Sequence, residues 1–337
     1  MTSERLNLNH LLSMSDSRGL FEHSHFSKPR KEHGYCVDDV ARGIILLERC
    51  GFEEPQFRDL LRIYFEFVLD SQLPNGHFRN RCNEVGIWTT PAQMGDHWGR
   101  ALWALGTVAN REGDTAMAAI ALKRFDDAAH HRTRFLRSMI YASLGAAQIL
   151  AFKPDHMPAQ KLLRETLLLI NQPGDQEWPW PEKRLSYGNA VIPEFLMLAG
   201  HHLNDAKLLQ QGVALLTWLV DIETVDNHFS VTPTKGWRIG EVRPAFDQQP
   251  IELAAMVDAC ATAFELTNDP EWLNLLKRGS DWFEGLNDLQ IQMYEPMTGG
   301  GFDGISPFGR NENQGAESTL SYLSVQERKS TLLSILR

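Results

Sequence analysis

Carboxylate side chains stand where long polar segments of the chain pass into apolar, helix-like ones. Two carboxyl groups in a water-poor cleft acquire different pKa values, which provides one proton donor and one proton acceptor. Such a pair supports hydrolysis of a glycosidic bond with inversion, because the acid protonates the leaving oxygen and the base activates a water. We expect Asp39 and Asp247 to form this pair. The further candidates for catalysis are Asp96, Glu252 and Glu317.

The segment RPAFDQQPIE, residues 243 to 252, carries more polar groups than a helix start requires. One Asp caps a helix by accepting a backbone N–H, and Pro suits the first turn. Asp247 is a fair candidate for that cap, which leaves Arg243, Gln248 and Gln249 without a structural task. We therefore expect this segment to form one wall of a ligand site.

Aromatic and amide side chains accompany the carboxylates in the same polar segments. Aromatic rings stack on the apolar faces of sugars, while amides, guanidinium groups and carboxylates hydrogen-bond the hydroxyls. This composition favours a carbohydrate site. The candidate substrate-binding residues are Asp38, His97, Arg100, Trp178, Trp180, Tyr187, Asn189, Trp237, Arg243, Gln248, Gln249, Asn313 and Gln314.

Each candidate also has a structural interpretation. The aspartates can cap helices. The glutamates can be held in buried salt bridges by Arg42, Arg100 or Arg243. Trp178 and Trp180, which lie between prolines, can pack a loop. These alternatives stay open at the level of sequence.

Helical periodicity covers most of the chain, whereas strand alternation is almost absent. Short links alternate with long ones, and short links join antiparallel helix hairpins. The chain is thus predicted to form six hairpins closed into an all-α (α/α)6 toroid, within a single domain over residues 1–337. The predicted helices span 38–50, 55–72, 93–110, 114–130, 133–151, 157–171, 189–203, 205–221, 247–267, 270–286 and 313–328, with a twelfth around 4–14.

The first helix of each hairpin is rich in small residues and apolar nearly all round, as in GRALWALGTVA and IELAAMVDACATAFEL. Such helices are typically buried on both sides, which predicts an inner ring. Their partners are more amphipathic and charged, which predicts an outer ring. The long loops then gather at the end of the toroid where the inner helices begin.

Composition excludes several classes of function. The formal net charge of −10 and the lack of a basic stripe argue against nucleic-acid binding. The N-terminus has no apolar signal-peptide region and no long apolar run occurs, so we expect a cytoplasmic protein without a membrane span. Four cysteines without CxxC spacing, no HExxH and no phosphate-binding glycine motif predict neither a metal nor another cofactor.

Seven segments of the sequence, in order from about residue 8 to residue 325, resemble a family of six-hairpin glycosidase-like proteins. These segments are GYCVDDVARGIILLE, LPNGHFRN, GRALWALGTV, WPWPEKRLSYGNAVIPEFL, RPAFDQQPIELAAMVDAC, TGGGFDGI and RNENQGAESTLSYL. Members occur alone or joined to glycosyltransferase domains in polysaccharide gene clusters. The resemblance implies an (α/α)6 fold and a carbohydrate substrate, with a glycosyltransferase as an expected partner. It implies no particular reaction, and Val37 and Val40 depart from the family's GYCTDDNAR pattern.

Two other functions remain open beside the inverting hydrolase. A sugar epimerase or isomerase on the same fold needs a proton-transferring pair, commonly histidines. His97 is the one histidine that the sequence places near the end of the toroid where the inner helices begin. A non-catalytic protein would use the same lining to hold a glycan for a glycosyltransferase. Free carboxylates would favour the hydrolase, facing histidines the epimerase, and carboxylates paired with arginines the binder.

Overall fold

The computed structural model describes residues 6–52, 54–111, 115–170 and 177–335, and it confirms the predicted (α/α)6 toroid. Within these residues the chain forms twelve α-helices. In chain order, α1 to α12 are Asn9–Ser13, Val37–Cys50, Pro55–Ser71, Asp96–Ala109, Thr115–Ala128, Leu136–Phe152, Met157–Leu167, Val191–His202, Ala206–Ile222, Pro250–Thr267, Glu271–Phe283 and Ala316–Ile335.

The even-numbered helices form the inner ring, in which each helix packs against the next and α12 closes the ring against α2. The following odd-numbered helix of each hairpin packs outside its partner, and the short α1 lies against α12. Close packing within the ring depends on small residues. A Cβ on Gly145 of α6 would lie 2.2 Å from the carbonyl oxygen of Leu102 on α4, so only glycine permits this approach.

Short strands occur in the long connections, where the sequence predicted loops. Each odd-numbered strand pairs with the even-numbered strand that follows it, in an antiparallel, two-stranded sheet. From β1 to β10 they are Ser24–His25, Lys28–Pro29, Tyr35–Cys36, Arg81–Cys82, Thr224–Val225, His228–Phe229, Tyr294–Glu295, Gly300–Gly301, Gly304–Ser306 and Gly309–Asn311. A single 3-10 turn spans Lys31–His33. These hairpins and sheets fix the loops at the end of the toroid where the inner helices begin.

No side-chain cap is present at the start of α2, α4, α6, α8 or α10. The prediction that Asp247 caps α10 is wrong, because the helix starts at Pro250 and Gln249 occupies the cap position without a side-chain hydrogen bond. Asp96 is the first residue of α4, after Gly95 at its cap position. Asp38 and Asp39 likewise lie inside the first turn of α2. Their carboxylates are therefore available for contacts other than capping.

Among the residues that the structure describes, no helix combines the length and the apolar character needed to cross a lipid bilayer.

Candidate functional site

A polar cleft of about 420 Å³ opens at the loop end of the toroid, beside the first turns of α2 and α12. Its volume lies within the range of small-molecule sites, roughly 300 to 1,000 Å³. Five acidic residues line it, together with two arginines and several neutral polar side chains. The lining residues are Glu22, His23, Cys36, Asp38, Asp39, Arg42, Asn80, Arg81, Gln249, Asp303, Asn311, Gly315, Glu317 and Ser318.

One guanidinium group joins two of the predicted catalytic residues in this cleft. Arg42 Nη1 lies 2.6 Å from Asp39 Oδ1, and Arg42 Nη2 lies 2.9 Å from Glu317 Oε2. Asp38 Oδ1 lies 2.7 Å from the Nε atom of Arg100. Glu317 thus forms the salt bridge to Arg42 that the sequence offered as an alternative, although its side chain is partly exposed, and the same bridge places its carboxylate next to Asp39.

Asp39 is the most deeply buried of the cleft carboxyl groups. Burial raises its pKa to about 8, and the neighbouring carboxylates of Glu317 and Asp38 act in the same direction, against the opposing charge of Arg42. A carboxyl group with this pKa is protonated at neutral pH and can donate a hydrogen ion. Glu317, whose side chain is 38% exposed, then supplies the charge that balances Arg42.

Glu22 and Asp303 also line the cleft but are absent from the sequence-based candidates. Glu22 forms an ion pair with Arg81. Asp303 accepts a 2.8 Å hydrogen bond from the backbone N–H of Gly315, and burial raises its pKa. Glu22 precedes β1 in a segment that carries no helical pattern. Asp303 lies in the glycine-rich segment TGGGFDGI, where no helical pattern marks its carboxylate as a site residue.

A group of potential metal ligands lies within the cleft. The ligand atoms of Glu22, Cys36 and Asp39 are all within 4.8 Å of one another. All three are already engaged, because Glu22 pairs with Arg81, Asp39 pairs with Arg42, and the Cys36 thiol donates to Asn80 Oδ1. Burial raises the pKa of the thiol, so a metal would have to displace a proton as well as two guanidinium groups.

A second, smaller cavity of about 60 Å³ lies among the inner helices, and Arg42 lines both it and the cleft. Its volume suffices for a few waters and is far below that of the cleft. Arg49 and Arg328 each lie 2.8 Å from Asp258 Oδ1 in this region. Burial raises the pKa of the neighbouring Glu194 to about 8. This interior network is polar, but it is too confined to hold a sugar ring.

Two of the predicted catalytic residues, Asp96 and Glu252, have their partners outside the cleft lining. Asp96 accepts hydrogen bonds of 2.7 Å from both the Ser138 and the Tyr187 hydroxyls. Glu252 accepts a 2.7 Å bond from the backbone N–H of Gly188 and a 3.4 Å bond from that of Asn189. Burial raises the pKa of Glu252 to about 8, and the nearby Glu223 carboxylate adds to this effect.

Only one member of the first predicted pair lines the cleft. Asp39 lines the cleft, whereas Asp247 is exposed and its side chain is not part of the lining. In the same segment, Gln249 does line the cleft. Gln248 is fully buried and donates to Asp288 Oδ2 at 2.6 Å and to the Ala245 carbonyl at 2.7 Å.

Arg243, from the same segment, donates to the carbonyl oxygen of Ser230. The surplus polar groups of this segment thus mainly tie loops together, because buried backbone carbonyls and amides need partners.

The three tryptophans predicted to bind substrate, Trp178, Trp180 and Trp237, form one cluster with Trp218. Trp180 is only 2% exposed and stacks on Trp218, with ring centroids 5.8 Å apart. Trp178 contacts Trp218 and Trp237 edge to face. The indole N–H groups of Trp178 and Trp237 donate to the backbone carbonyls of Glu182 and Glu241. The loop-packing interpretation therefore holds for this cluster, and none of the three lines the cleft.

Four further candidates have structural partners. His97 is buried and its Nε2 donates to the Phe78 carbonyl at 3.0 Å, while burial lowers the pKa of its imidazole. Asn189 is 1% exposed. The Asn313 side chain accepts a bond from the Phe26 N–H, and the backbone carbonyl of Gln314 accepts one from the His10 side chain. His97, Asn189, Asn313 and Gln314 lie outside the cleft lining.

Comparison with known proteins establishes the fold. No protein-family model and no curated protein matches the sequence. A sugar epimerase from a ruminal bacterium superposes with a TM-score of 0.73 at 12% identity, over 97% of this chain and 95% of that chain.

Two glycoside hydrolases share the same architecture. A family 76 α-mannanase from Bacteroides thetaiotaomicron gives a TM-score of 0.67 at 10% identity, covering 96% of this chain and 93% of that chain. A family 9 endoglucanase gives 0.63 at 13% identity, covering 93% of this chain and 74% of that chain. The fold expected from the family resemblance is thus confirmed, while the link to glycosyltransferases stays a prediction.

Proposed function

We propose that this protein is a carbohydrate-active enzyme that hydrolyses a glycosidic bond with inversion, using Asp39 as the acid and Glu317 as the base. The observation that carries the proposal is the Arg42 bridge, which holds a buried carboxyl of raised pKa beside a more exposed carboxylate in one sugar-sized cleft. Structural likeness to two glycoside hydrolases supports the choice of substrate class.

The reaction follows from the different environments of the two groups. Asp39 donates its proton to the glycosidic oxygen as the bond from that oxygen to the anomeric carbon breaks. Glu317 takes a proton from a water whose oxygen bonds to the anomeric carbon from the opposite face. Inverting enzymes separate the two carboxyl groups by about 6.5 to 9.5 Å. Since Glu317 is partly exposed, its side chain can leave Arg42 when a ligand enters.

The test is hydrolysis of a panel of oligosaccharides, followed by proton NMR of the anomer first released. We expect inversion by the wild type and a loss of kcat of roughly 100-fold or more for Asp39→Asn and for Glu317→Gln. Glu312→Gln is the matched control, because Glu312 is exposed, pairs with Arg310 and lies outside the cleft lining. Unchanged activity in both cleft variants would exclude this pair.

A sugar epimerase or isomerase is the second candidate. His23 lines the cleft, and its Nδ1 lies 3.0 Å from Nδ1 of His33, which is outside the lining, so one histidine faces the cleft as a proton-transferring group and the second hydrogen-bonds it. The likeness to a sugar epimerase supports this candidate. In D₂O, an epimerase incorporates deuterium at the carbon beside the carbonyl and releases no new reducing end. His23→Asn would abolish that exchange.

A non-catalytic role in glycan binding is the third outcome of the same assay. The ion pairs of Asp38, Asp39 and Glu317 with arginines favour it. In that case the wild type binds an oligosaccharide but yields neither hydrolysis nor exchange, and a glycosyltransferase is the expected partner.

A further inference from the structure

Phe26 occupies a backbone position that normally selects glycine. It is the first residue of the two-residue turn between β1 and β2, with His25 paired to Lys28 across the turn. Its φ is 52°, in the left-handed region that disfavours large side chains. Hairpin turns with positive φ at this position strongly prefer Gly, Asn or Asp. The backbone conformation at this position therefore does not explain the presence of a large aromatic side chain.

Hydrogen bonds hold this turn against the segment before α12. The Phe26 N–H donates to Asn313 Oδ1 at 2.9 Å, and the Phe26 carbonyl accepts from the Gln314 N–H at 3.0 Å. The next residue along that segment, Gly315, lines the cleft, and so does His23 at the start of the hairpin. Phe26 therefore lies at the rim of the cleft, and hydrogen bonds of its backbone N–H and carbonyl groups fix it to the segment before α12.

Phe26 is 55% exposed, so the hydrophobic core gains little from it. Its ring contacts the His25 imidazole edge to face, with centroids 4.6 Å apart. Packing thus does not explain why a strained position carries an aromatic residue. Strained residues that the surrounding structure holds in place are concentrated at functional sites.

We propose that Phe26 is a stacking platform for a second sugar ring, so that the ligand is an oligosaccharide that extends from the cleft across this rim. The proposal rests on the proposed carbohydrate function. The C–H groups of a pyranose form an apolar face that a phenyl ring covers, while the cleft itself offers polar partners for the first ring. Asn313 then acts as a positioning residue, because it binds the Phe26 backbone rather than the sugar.

The experiment measures affinity by calorimetry for glucose, mannose and N-acetylglucosamine and for their β-1,4-linked tetrasaccharides. For a tetrasaccharide that binds, we expect Phe26→Ala and Phe26→Gly to weaken affinity roughly tenfold, as loss of one well-covered aromatic contact does. The corresponding monosaccharide should bind as it does to the wild type. Phe26→Tyr should retain the tetrasaccharide affinity.

Two controls separate recognition from structure. Glycine tolerates a φ of 52°, so Phe26→Gly should melt no lower than the wild type. Phe152→Ala removes another part-exposed phenyl ring, 40% exposed, at the C-terminal end of α6, away from the cleft end, and should leave both affinities unchanged.

The outcomes distinguish this inference from the function on which it rests. A wild type that binds none of these sugars contradicts the carbohydrate function and the platform together. Wild-type binding with equal tetrasaccharide affinity in Phe26→Ala overturns the platform alone. An equal loss of affinity for monosaccharide and tetrasaccharide also overturns it, because Phe26 would then shape the cleft itself.

Discussion

The hydroxyl of Tyr187 donates a 2.7 Å hydrogen bond to Oδ2 of Asp96, which lies 91 positions earlier in the chain. Ser138 donates to the other carboxylate oxygen. The start of α4 is thus joined to the start of α6 and to the loop before α8. Asp96, a candidate for catalysis, and Tyr187, a candidate for substrate binding, thus connect neighbouring hairpins, and Tyr187 is 48% exposed.

The first prediction concerns this connection. Tyr187→Phe removes one hydrogen bond to a carboxylate and should lower the free energy of unfolding by about 1 kcal/mol. In an Asp96→Asn background the same change should cost less, because the charged acceptor is gone. Urea unfolding of the four proteins gives the coupling as a double-mutant cycle. Equal costs in the two backgrounds would mean that the charge of the Asp96 carboxylate adds nothing to this hydrogen bond.

The second prediction concerns the pH dependence of activity. Because the pKa of Asp39 is raised to about 8, its acid form is available at neutral pH and is lost as the pH rises through that value. Whichever product the assay reveals, kcat/KM should fall on the alkaline side near pH 8 if Asp39 is the acid. Asp39→Asn should remove this limb from any residual activity. A rate that stays level from pH 7 to 10 would exclude Asp39 as the proton donor.

The third prediction concerns stability and pH at Glu252. Its pKa rises from 4.5 to about 8 in the folded state, so the folded protein binds a proton that the unfolded chain releases. The resulting stabilisation is fully present below pH 4.5 and is lost as the pH rises through about 8. The free energy of unfolding of Glu252→Gln should therefore decline less than that of the wild type between pH 5 and 9. Parallel pH profiles would contradict the raised pKa.

The fourth prediction concerns the interior ion pair of Arg49 and Asp258. Burial alone would raise the pKa of Asp258, yet the guanidinium groups of Arg49 and Arg328 hold it below its usual value. Arg49→Met should destabilise the protein by about 3 kcal/mol, because it strands part of a buried charge.

Arg62→Met is the control for this substitution. Arg62 forms an exposed pair with Glu66, so its loss should cost about 0 to 1 kcal/mol. Denaturant unfolding checks both values, and a similar small cost for the two variants would show that the Asp258 charge is well solvated.

The fifth prediction concerns the close contact of α4 and α6. Gly145→Ala places a methyl group 2.2 Å from the Leu102 carbonyl oxygen, so the two helices must separate. We expect a loss of about 3 kcal/mol, which is the upper end of the cost of overpacking a core. Gly51→Ala tests the backbone effect alone, since its added Cβ meets nothing within 4 Å and only its φ of 57° opposes the change. Its cost should be about 1 kcal/mol. Equal melting temperatures of the two variants would exclude the steric explanation.

The toroid could be predicted from sequence because its signal is repeated. Five stretches rich in small, apolar residues alternate with more amphipathic ones, and that pattern distinguishes inner from outer helices. Helix starts were harder to place, as at α10, because capping by Asp247 and a start at Pro250 look alike when the loop conformation is unknown.

The site was predicted mainly where it lies on helices, together with Gln249 just before α10. Asp38, Asp39 and Glu317 were found because the first turns of α2 and α12 converge on the cleft. Glu22 and Asp303 were missed because they lie in loops, whose folding depends on distant contacts rather than on local periodicity. Gln248 was given to ligand binding because a sequence does not reveal which buried carbonyls require an amide donor.

All six inner helices begin at the end of the toroid that holds the cleft. The peptide dipoles of each helix leave a partial positive charge at its amino-terminal end, so six such ends surround the same mouth. The first turns of α2 and α12 line the cleft, so their fields lower the energy of negative charge there, which helps five acidic residues share one cleft with two arginines. Inner helices that ran in the opposite direction would present carbonyl ends to the same groups and repel them.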